Sequence, residues 1–511
     1  MKIPNIEMLR NICSKYNMSI NDEELIIYLR IIRENFIQSY EYLDKLIEPE
    51  ITVKYPRTPG YRPNKNENPL NAWYWKTKVS HEKTGKLLGK NIALKDNISL
   101  AGVPMTVGTN IMNGFIPEID ATIVTRILDE AGNIAGKAVC ESLCCAGSSF
   151  TADTGPVLNP HNILYSAGGS SSGSAALVAS GDVDMAIGCD QTGSIRIPSS
   201  WCGIYGLKPS WGLVPYTGIF PVDVTIDHVG PMARTVEDLA LLLEVIAGSD
   251  GLDPRQYNGR NPKLYSKCLN ENINGLKIGI VREGFGWEDI SESDVDRTVK
   301  NSALLFKECG AVVNTVSIPE HLDGSRVADV INIEGTTAQM VNGFSQGTSW
   351  KGYYQTQLLD AYASGLKSRS DELAPITKEI LFTGEAMRET YNGHYYAKAQ
   401  NLGRQVKAAY DKMLAKYDVL IMPTTPFKAT KLPKEHSDLA TQIKSAMGMD
   451  INTGVFNVTG HPALSVPCGY AENGLPIGMM LIGRYGDDEK LLLTAYNFEK
   501  ITNGQFCKAV K

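Results

Sequence analysis

Hydrophobic residues recur at helical spacing close to the start of the chain. Asn21, with Glu24 three residues later, has the pattern of a helix N-cap with a capping box. Beyond it an apolar stripe, widened by three isoleucines, is formed by Leu25, Tyr28, Leu29, Ile32, Phe36 and Leu43 with Ile26, Ile27 and Ile31. Such a wide apolar surface needs cover on two sides. Residues 1–60 are therefore predicted to be an N-terminal helical segment. One side of its helix would pack against the main domain, and the other side would be buried either in a dimer contact or by simple intramolecular packing.

After an extended, proline-containing linker at 55–70, the pattern changes to short apolar runs that alternate with helical segments. Strands are predicted at 91–94, 133–136, 184–188, 418–423 and 477–482, and helices at 121–130, 173–180 and 235–247. Short strands that alternate with helices are typical of α/β proteins. The predicted fold is a large mixed β-sheet covered by helices on both faces.

A change of composition divides this α/β region. Residues 250–265 are rich in Asp, Pro, Gly and Asn and indicate a boundary, and residues 266–415 are more charged and more helical. We predict that 266–415 is a smaller, helix-rich insert that covers the site. The core then has two parts, 61–265 and 416–511.

Composition excludes several kinds of partner. The chain has 511 residues, 43% of them hydrophobic, and a net charge of −6 without long blocks of one sign, so neither nucleic acid nor a membrane is expected. Its apolar runs are far shorter than the ~18 residues of a membrane span, and its first residues lack the apolar core of a signal peptide. We therefore expect a cytoplasmic protein. Ten cysteines without a CxxC pair indicate reduced thiols, and seven scattered histidines predict neither a metal site nor another cofactor.

The densest run of small residues, SAGGSSSGSAALVASG at 166–181, has several interpretations. A flexible linker is disfavoured because the run continues into the apolar segment 175–179. A phosphate cradle is disfavoured because neither GK[ST] nor GxGxxG occurs here. A GxSxG nucleophile elbow would make Ser171 the nucleophile, with His461 as a candidate base, but it requires a preceding strand, and residues 159–162 predict a turn.

A second polar turn offers another interpretation. Residues 188–196 follow a predicted strand and combine Gly193 with Ser194, so backbone N–H groups and a hydroxyl could be presented together, as an oxyanion hole requires. Lys95 ends another apolar strand. A lone lysine there is usually solvated, but a desolvated one has a lowered pKa and can act as a base. Serine with lysine is a known alternative to serine with histidine.

Together these segments resemble the amidase signature family. The family pattern is matched by Lys-Asp-Asn at 95–97, Gly-Gly-Ser-Ser at 168–171 and the Asp-x-Gly-Gly-Ser-Ile-Arg-like segment 190–196, with 24 residues between Ser170 and Ser194. Further segments resemble the bacterial amidases associated with nitrile degradation: 67–74, 190–191, 212–218, 251–256 and 458–463. The resemblance extends over roughly residues 60–500.

The resemblance implies the amidase signature fold and a Ser–cisSer–Lys triad. Ser194 corresponds to the nucleophile, Ser170 to the bridging serine after a cis Gly169–Ser170 peptide, and Lys95 to the base. The implied oxyanion hole consists of the backbone N–H groups of Gln191, Thr192, Gly193 and Ser194. Ser171 would be a supporting hydrogen-bonding residue. Asp190 and Arg196 would orient the turn or form an ordinary ion pair.

Two positions depart from the family pattern. Thr192 stands where the family usually has glycine, so the turn must accommodate a β-branched residue. Cys145 stands where some relatives have an aromatic residue in the substrate pocket, which implies a roomier or differently shaped pocket. His461 is interpreted as structural rather than as a base.

The expected function is hydrolysis of small, linear aliphatic or aromatic carboxamides to carboxylate and ammonia through a serine acyl-enzyme. A homodimer is the expected assembly. Two alternatives on the same fold are an amide-forming transacylase and the glutaminase subunit of a tRNA amidotransferase. A third is a catalytically silent binding protein.

Overall fold

The chain folds as two units, Met1–Thr52 and Val53–Lys511, in a computed structural model that describes residues 3–81, 83–256, 262–434, 436–507 and 509–510. The first unit contains the helices α1 (Ile6–Lys15), α2 (Asp22–Ile32) and α3 (Gln38–Leu43), the last two joined by a π-helical turn, Arg33–Ile37. The capping box is present: the Asn21 side chain accepts from the Glu24 backbone N–H at 2.9 Å, and Glu24 Oε2 accepts from the Asn21 N–H at 3.3 Å.

The apolar surface of α2 is only partly buried in the single chain. Leu25 and Ile37 are buried, while large apolar side chains on the same stretch are exposed: Ile26, Ile27, Tyr28, Ile31 and Phe36. Whether a dimer contact or intramolecular packing covers these side chains stays a prediction.

The second unit is built on a mixed sheet. In the described ranges the sheet has eleven strands, in the order β1-β3-β2-β6-β8-β7-β12-β13-β11-β9-β10. They are β1 (Trp73–Val79), β2 (Asn91–Lys95), β3 (Asn133–Ala138), β6 (Met185–Asp190), β7 (Tyr205–Lys208), β8 (His228–Ala233), β9 (Lys277–Val281), β10 (Val312–Val316), β11 (Val419–Pro423), β12 (Ala463–Tyr470) and β13 (Pro476–Gly483). β3, β2 and β6 are parallel neighbours, as are β11, β9 and β10, and the other neighbours are antiparallel. The predicted mixed α/β sheet is confirmed.

Both faces of this sheet are covered. On β2, Ile92 and Leu94 belong to one apolar cluster together with residues of α4 (Thr122–Asp129) and α7 (Val236–Ile246). Ala93 belongs to another cluster with the small residues of α5 (Ser172–Ser180). Alternate side chains of a strand point to opposite faces, so both faces at β2 are buried. The helices of this unit are α4 (Thr122–Asp129), α5 (Ser172–Ser180), α6 (Arg196–Cys202), α7 (Val236–Ile246), α8 (Ser293–Leu305), α9 (Glu320–Thr336), α10 (Thr356–Arg369), α11 (Pro375–Tyr391), α12 (His394–Leu414), α13 (Leu439–Ser445), α14 (Val455–Thr459) and α15 (Asp488–Ile501).

The serine cluster follows a strand, contrary to expectation. The hairpin of β4 (Leu158–Asn159) and β5 (Asn162–Ser166) leads into it, so the prediction that only a turn precedes the cluster is wrong. Residues 160–161 do form a turn. The exposed Ile163 and Leu164 belong to β5, which pairs with β4 in a two-stranded sheet separate from the main sheet. This short, exposed strand lacks the buried alternation that signals a strand in sequence.

The segment 266–415 contributes β9, β10 and α8–α12. That this segment is an insert between two core parts, 61–265 and 416–511, stays a prediction. Residues 257–261 of the predicted boundary lie outside the described residues. No helix in the described part of the chain is long and apolar enough to cross a membrane.

Candidate active site

The site begins at the carboxyl ends of two parallel strands. β2 and β6 are paired with Leu94 opposite Ile187, so Lys95, at the end of β2, lies beside the last residues of β6. Its Nζ donates to Ser170 Oγ at 2.7 Å and to the Cys189 carbonyl at 3.3 Å. Lys95 and Ser170 both have no exposed surface. The structure therefore places Lys95 in the interior, not in solvent.

The serine cluster is held by backbone contacts around a cis Gly169–Ser170 peptide. The Ser170 carbonyl accepts from the Glu141 N–H at 3.2 Å. The Ser171 hydroxyl donates to the Cys189 carbonyl at 3.1 Å and accepts from the Cys189 N–H at 3.3 Å. The Ser171 hydroxyl thus bridges the carbonyl and the N–H of Cys189 in β6.

Ser194 lies in the turn between β6 and α6 and borders a cavity of about 440 Å³. Its carbonyl accepts from the Ser171 N–H at 3.2 Å, which joins the turn to the serine cluster. Ser194 is 5% exposed. Among the described residues, no hydrogen-bond acceptor is found for the backbone N–H groups of Gln191, Thr192, Gly193 and Ser194. Four unpartnered N–H groups beside a hydroxyl are the arrangement that an oxyanion hole requires.

The turn accommodates Thr192 because its left-handed position falls on the next residue. Gly193 has φ of 155°, whereas Thr192 is not among the residues with positive φ. A Cβ at Gly193 would collide with Thr453 Oγ1 and Ile197. Thr453 Oγ1 in turn donates to the Thr192 carbonyl at 2.5 Å. The departure at Thr192 therefore requires no strained backbone.

A network of buried charged and polar side chains anchors the turn that contains Ser194. Arg196 Nε and Nη2 donate to the two carboxylate oxygens of Asp190 at 3.0 and 2.9 Å, and neither residue has exposed surface. Asn457 Nδ2 donates to the Asp190 carbonyl at 2.8 Å, and Asn457 Oδ1 accepts from Arg196 at 2.6 Å. Asp190 Oδ2 also accepts from the Ile195 N–H at 3.1 Å. Burial opposes ionisation of Asp190, but the Arg196 charge outweighs it and holds the pKa of this carboxyl well below its ordinary range.

Opposing effects act on the base candidate. Burial of the Lys95 amine lowers its pKa, but nearby groups that can carry negative charge, first Cys144 and then Cys189, raise it. The pKa of Lys95 therefore lies above its ordinary value while these charges are present.

The cavity at Ser194 has a mixed lining of apolar, polar and charged residues. Cys145 borders it, with its Sγ donating to the Leu143 carbonyl at 3.3 Å. The Gln191 side chain also lines it, and its Nε2 is held by the Tyr216 hydroxyl at 2.9 Å and Asp227 Oδ1 at 2.8 Å. The apolar part of the lining consists of isoleucine and methionine side chains, among them Ile333, Ile376, Ile380, Met447, Met449 and Ile451. The charged part consists of Arg326, Asp329, Glu379, Lys444 and Asp450. A cavity of this size accommodates a small molecule.

Comparison with known proteins agrees with this geometry. Residues 65–492 match the family model described as Amidase. This chain belongs to the amidase family. Membership makes it an enzyme of the amide-hydrolysing class.

Relatives of this amidase-family chain differ in their reactions. It is 45% identical over 464 residues to an enantioselective amidase of Rhodococcus rhodochrous, a match that covers 90% of this chain and 89% of the relative. Among solved structures, it is similar to a glutamyl-tRNA(Gln) amidotransferase component of Thermotoga maritima, with a TM-score of 0.71, 29% identity and coverage of 87% and 92% of the two chains. It is also similar to the peptide amidase of Stenotrophomonas maltophilia, with a TM-score of 0.67, 27% identity and coverage of 82% and 84%.

In this family member, His461 lies away from the three triad candidates. Its Nε2 pairs with Asp411 Oδ1 at 3.0 Å and its Nδ1 with Thr459 Oγ1 at 2.9 Å. Its carbonyl accepts from the buried Lys208 at 2.7 Å. Burial lowers the pKa of His461. These contacts are those of a structural histidine.

Sequence reasoning missed the residues that reach the turn from the other end of the chain. Asn457 and Thr453 contact Asp190 and Thr192 across more than 250 residues. The one signal near them is the segment 458–463, which adjoins Asn457 and resembles the nitrile-associated amidases. Cys144, which borders the cavity beside Lys95, was also missed. In the described ranges, no cluster of three or more His, Cys, Asp or Glu side chains could hold a metal ion.

Proposed function

We propose that this protein hydrolyses small carboxamides with an apolar acyl group to carboxylate and ammonia, through an acyl-enzyme on Ser194. The observation that carries the proposal is the 2.7 Å bond between the buried Lys95 Nζ and Ser170 Oγ, next to a turn whose Ser194 borders the cavity. A serine hydroxyl needs such a base because it is a weak nucleophile at neutral pH. In this proposal Ser170 relays a proton between Ser194 and Lys95.

The reaction starts with the neutral form of Lys95. In that form the amine accepts the Ser170 hydroxyl hydrogen instead of donating to it. Ser194 Oγ attacks the amide carbon, its proton passes to Ser170, and the Ser170 proton passes to Lys95. When Cys144 keeps its own proton, the charge that holds Lys95 protonated is absent, and burial favours the neutral amine.

The tetrahedral intermediate places its negative oxygen at the backbone N–H groups of residues 191–194. The C–N bond then breaks, and the leaving nitrogen takes the proton back from Lys95 through Ser170. A water molecule attacks the acyl-enzyme by the same proton route, which releases the carboxylate and restores Ser194. Every group in this sequence belongs to the chain, the substrate or water.

Acyl transfer to an amine is the second candidate, supported by the similarity to an amidotransferase component. A hydrolysis panel of acetamide, isobutyramide, benzamide, glutamine and a peptide amide, run with and without hydroxylamine, separates the two. We expect isobutyramide and benzamide to be the best substrates and to give mainly free acid. A product dominated by hydroxamate would instead favour the transacylase, and glutamine as the sole substrate would favour the glutaminase.

We further propose that the protein is a homodimer that uses the exposed apolar surface of α2. Ile26 and Ile27 are 61% and 48% exposed in the single chain. We expect light scattering after size-exclusion chromatography to give twice the chain mass, and Ile26→Glu with Ile27→Glu to give the single mass. Leu88→Glu is the matched control, since Leu88 is 58% exposed but lies outside the first unit. A wild-type monomer, or dissociation by the control alone, would contradict this interface.

A cytoplasmic location of the protein stays a prediction.

A further inference from the structure

Three of the segments that resemble the nitrile-associated amidases meet in the structure at the Tyr216 side chain. Gln191, Tyr216 and Arg255 each belong to a different one of those segments. Gln191 Nε2 donates to the Tyr216 hydroxyl at 2.9 Å, and Arg255 Cζ lies 4.7 Å from the centre of the Tyr216 ring. Residues far apart in the chain therefore converge beside Gln191, the first residue of the oxyanion turn.

Asp227 contacts the same Gln191 carboxamide from the neighbouring strand. β6 and β8 are antiparallel with Asp190 opposite His228, so the residue after β6 and the residue before β8 lie side by side. Gln191 Nε2 accordingly also donates to Asp227 Oδ1, at 2.8 Å. Asp227 Oδ2 accepts from the Val222 N–H at 3.1 Å. The Asp227 carboxyl group thus bonds two residues that line the cavity beside Ser194, since Val222 borders it as Gln191 does.

The two acceptors of the Gln191 side chain are themselves held in place. Asp253 accepts from the Tyr216 N–H at 2.8 Å and from Arg255 Nε at 2.9 Å. Arg255 Nη1 donates to the Asp227 carbonyl at 2.8 Å. Tyr216, Asp227 and Gln191 are 7%, 1% and 3% exposed. A buried carboxamide with two buried acceptors keeps one position, because leaving them would cost both hydrogen bonds without water to replace them.

We propose that Tyr216 and Asp227 are positioning residues for amide hydrolysis, which act on the oxyanion turn through the Gln191 side chain. Donors of an oxyanion hole must be aimed at the developing charge before the reaction starts. Fixing the Gln191 side chain limits where the N–H of the same residue can point. This inference rests on the proposed function, because it concerns the transition state of that reaction.

Tyr216→Phe tests the contact with the smallest change, since it removes the hydroxyl and keeps the ring against Arg255. Because oxyanion donors act mainly in the transition state, we expect kcat for benzamide to fall about tenfold while KM stays within about twofold. Tyr410→Phe is the matched control. The Tyr410 hydroxyl is also buried and pairs with His321 Nδ1 at 2.8 Å, but neither residue borders the cavity. We expect this control to lose stability and to keep its kcat.

A double variant separates positioning from a general effect on the fold. Gln191→Met should lower kcat about as much as Tyr216→Phe, because methionine has a similar length but donates no hydrogen bond. If Tyr216 acts through Gln191, the double variant should be no slower than Gln191→Met alone, whereas independent effects would multiply to about a hundredfold. Asp227→Ala should also lower kcat, and Asp227→Asn should restore part of it, since asparagine keeps an oxygen acceptor for Gln191 Nε2.

A fluorophosphonate probe distinguishes failure of this inference from failure of the proposed function, because its reaction at Ser194 requires no amide substrate. The phosphoryl oxygen of the probe takes the place of the amide oxygen at the oxyanion donors, so Tyr216→Phe should slow labelling of Ser194 about tenfold as well. A wild-type protein that hydrolyses no amide, with labelling still slowed in Tyr216→Phe, would refute the proposed function alone. Wild-type labelling in Tyr216→Phe, or multiplied losses in the double variant, would overturn the positioning role.

Discussion

Ser194→Ala is expected to lower kcat/KM for isobutyramide or benzamide by about 10⁴-fold or more, because removal of a catalytic nucleophile leaves only binding and the oxyanion hole. The fold should not change, since the Ser194 side chain borders the cavity and the Ser194 backbone carbonyl still accepts from the Ser171 N–H. Steady-state kinetics and a circular dichroism melting curve measure the two effects.

Ser171→Ala is the matched control for this prediction. Ser171 stands at the centre of the GxSxG match, but its hydroxyl only bridges the Cys189 backbone, so we expect a far smaller loss than for Ser194→Ala. A fluorophosphonate probe should label Ser194, as read from the modified peptide. Labelling of Ser171, or full activity in Ser194→Ala, would refute the proposed nucleophile and favour the elbow.

Asp190→Asn is expected to destabilise the protein and to lower its activity. The change leaves the Arg196 guanidinium buried without a counter-charge, and breaking a buried ion pair in this way costs about 3–5 kcal/mol. Because Asp190 also accepts from the Ile195 N–H, the turn that presents Ser194 loses an anchor. Urea unfolding measures the loss of stability, and kcat with KM measures the effect on the turn.

The direction of the pH effect follows from the pKa of Asp190. The folded-state pKa lies below the ordinary value of about 3.9, so the stabilisation is present above that pH and is lost as the pH falls through the folded-state pKa. The wild-type protein should therefore lose stability in acid more steeply than Asp190→Asn. Glu489→Gln is the control, because it breaks an exposed pair with Lys263 and should cost at most about 1 kcal/mol. Equal losses in the two variants would show that the buried network does not hold the turn.

The residues of the proposed triad were named through the resemblance to the amidase signature family, and that resemblance rests on short local segments. Lys95 ends an apolar strand, and Ser194 follows one, so each carries a short pattern that survives in the linear sequence. The capping box at Asn21 is equally local, since it depends on two residues three apart. These patterns also predicted an α/β sheet, although six of its strands were not found: β1, β7, β8, β9, β10 and β12.

Long-range support for the turn left no comparable signal. Asn457 reaches Asp190 across 267 positions, and its hydrogen bonds depend on where β6 and α14 meet in space. An asparagine near a glycine turn has no periodicity that indicates such a partner.

Lys95 illustrates the difference between what the sequence predicts and what the tertiary structure adds. The sequence by itself determined that an apolar strand ends in a lysine, that two serine-containing turns follow at family spacing, and that this combination suits a serine acyl-enzyme. It did not decide whether the Lys95 side chain is solvated or buried. Only the tertiary structure decided this, because β2 lies between β3 and β6 with both faces covered, so the Lys95 amine has no route to water and meets Ser170 at 2.7 Å.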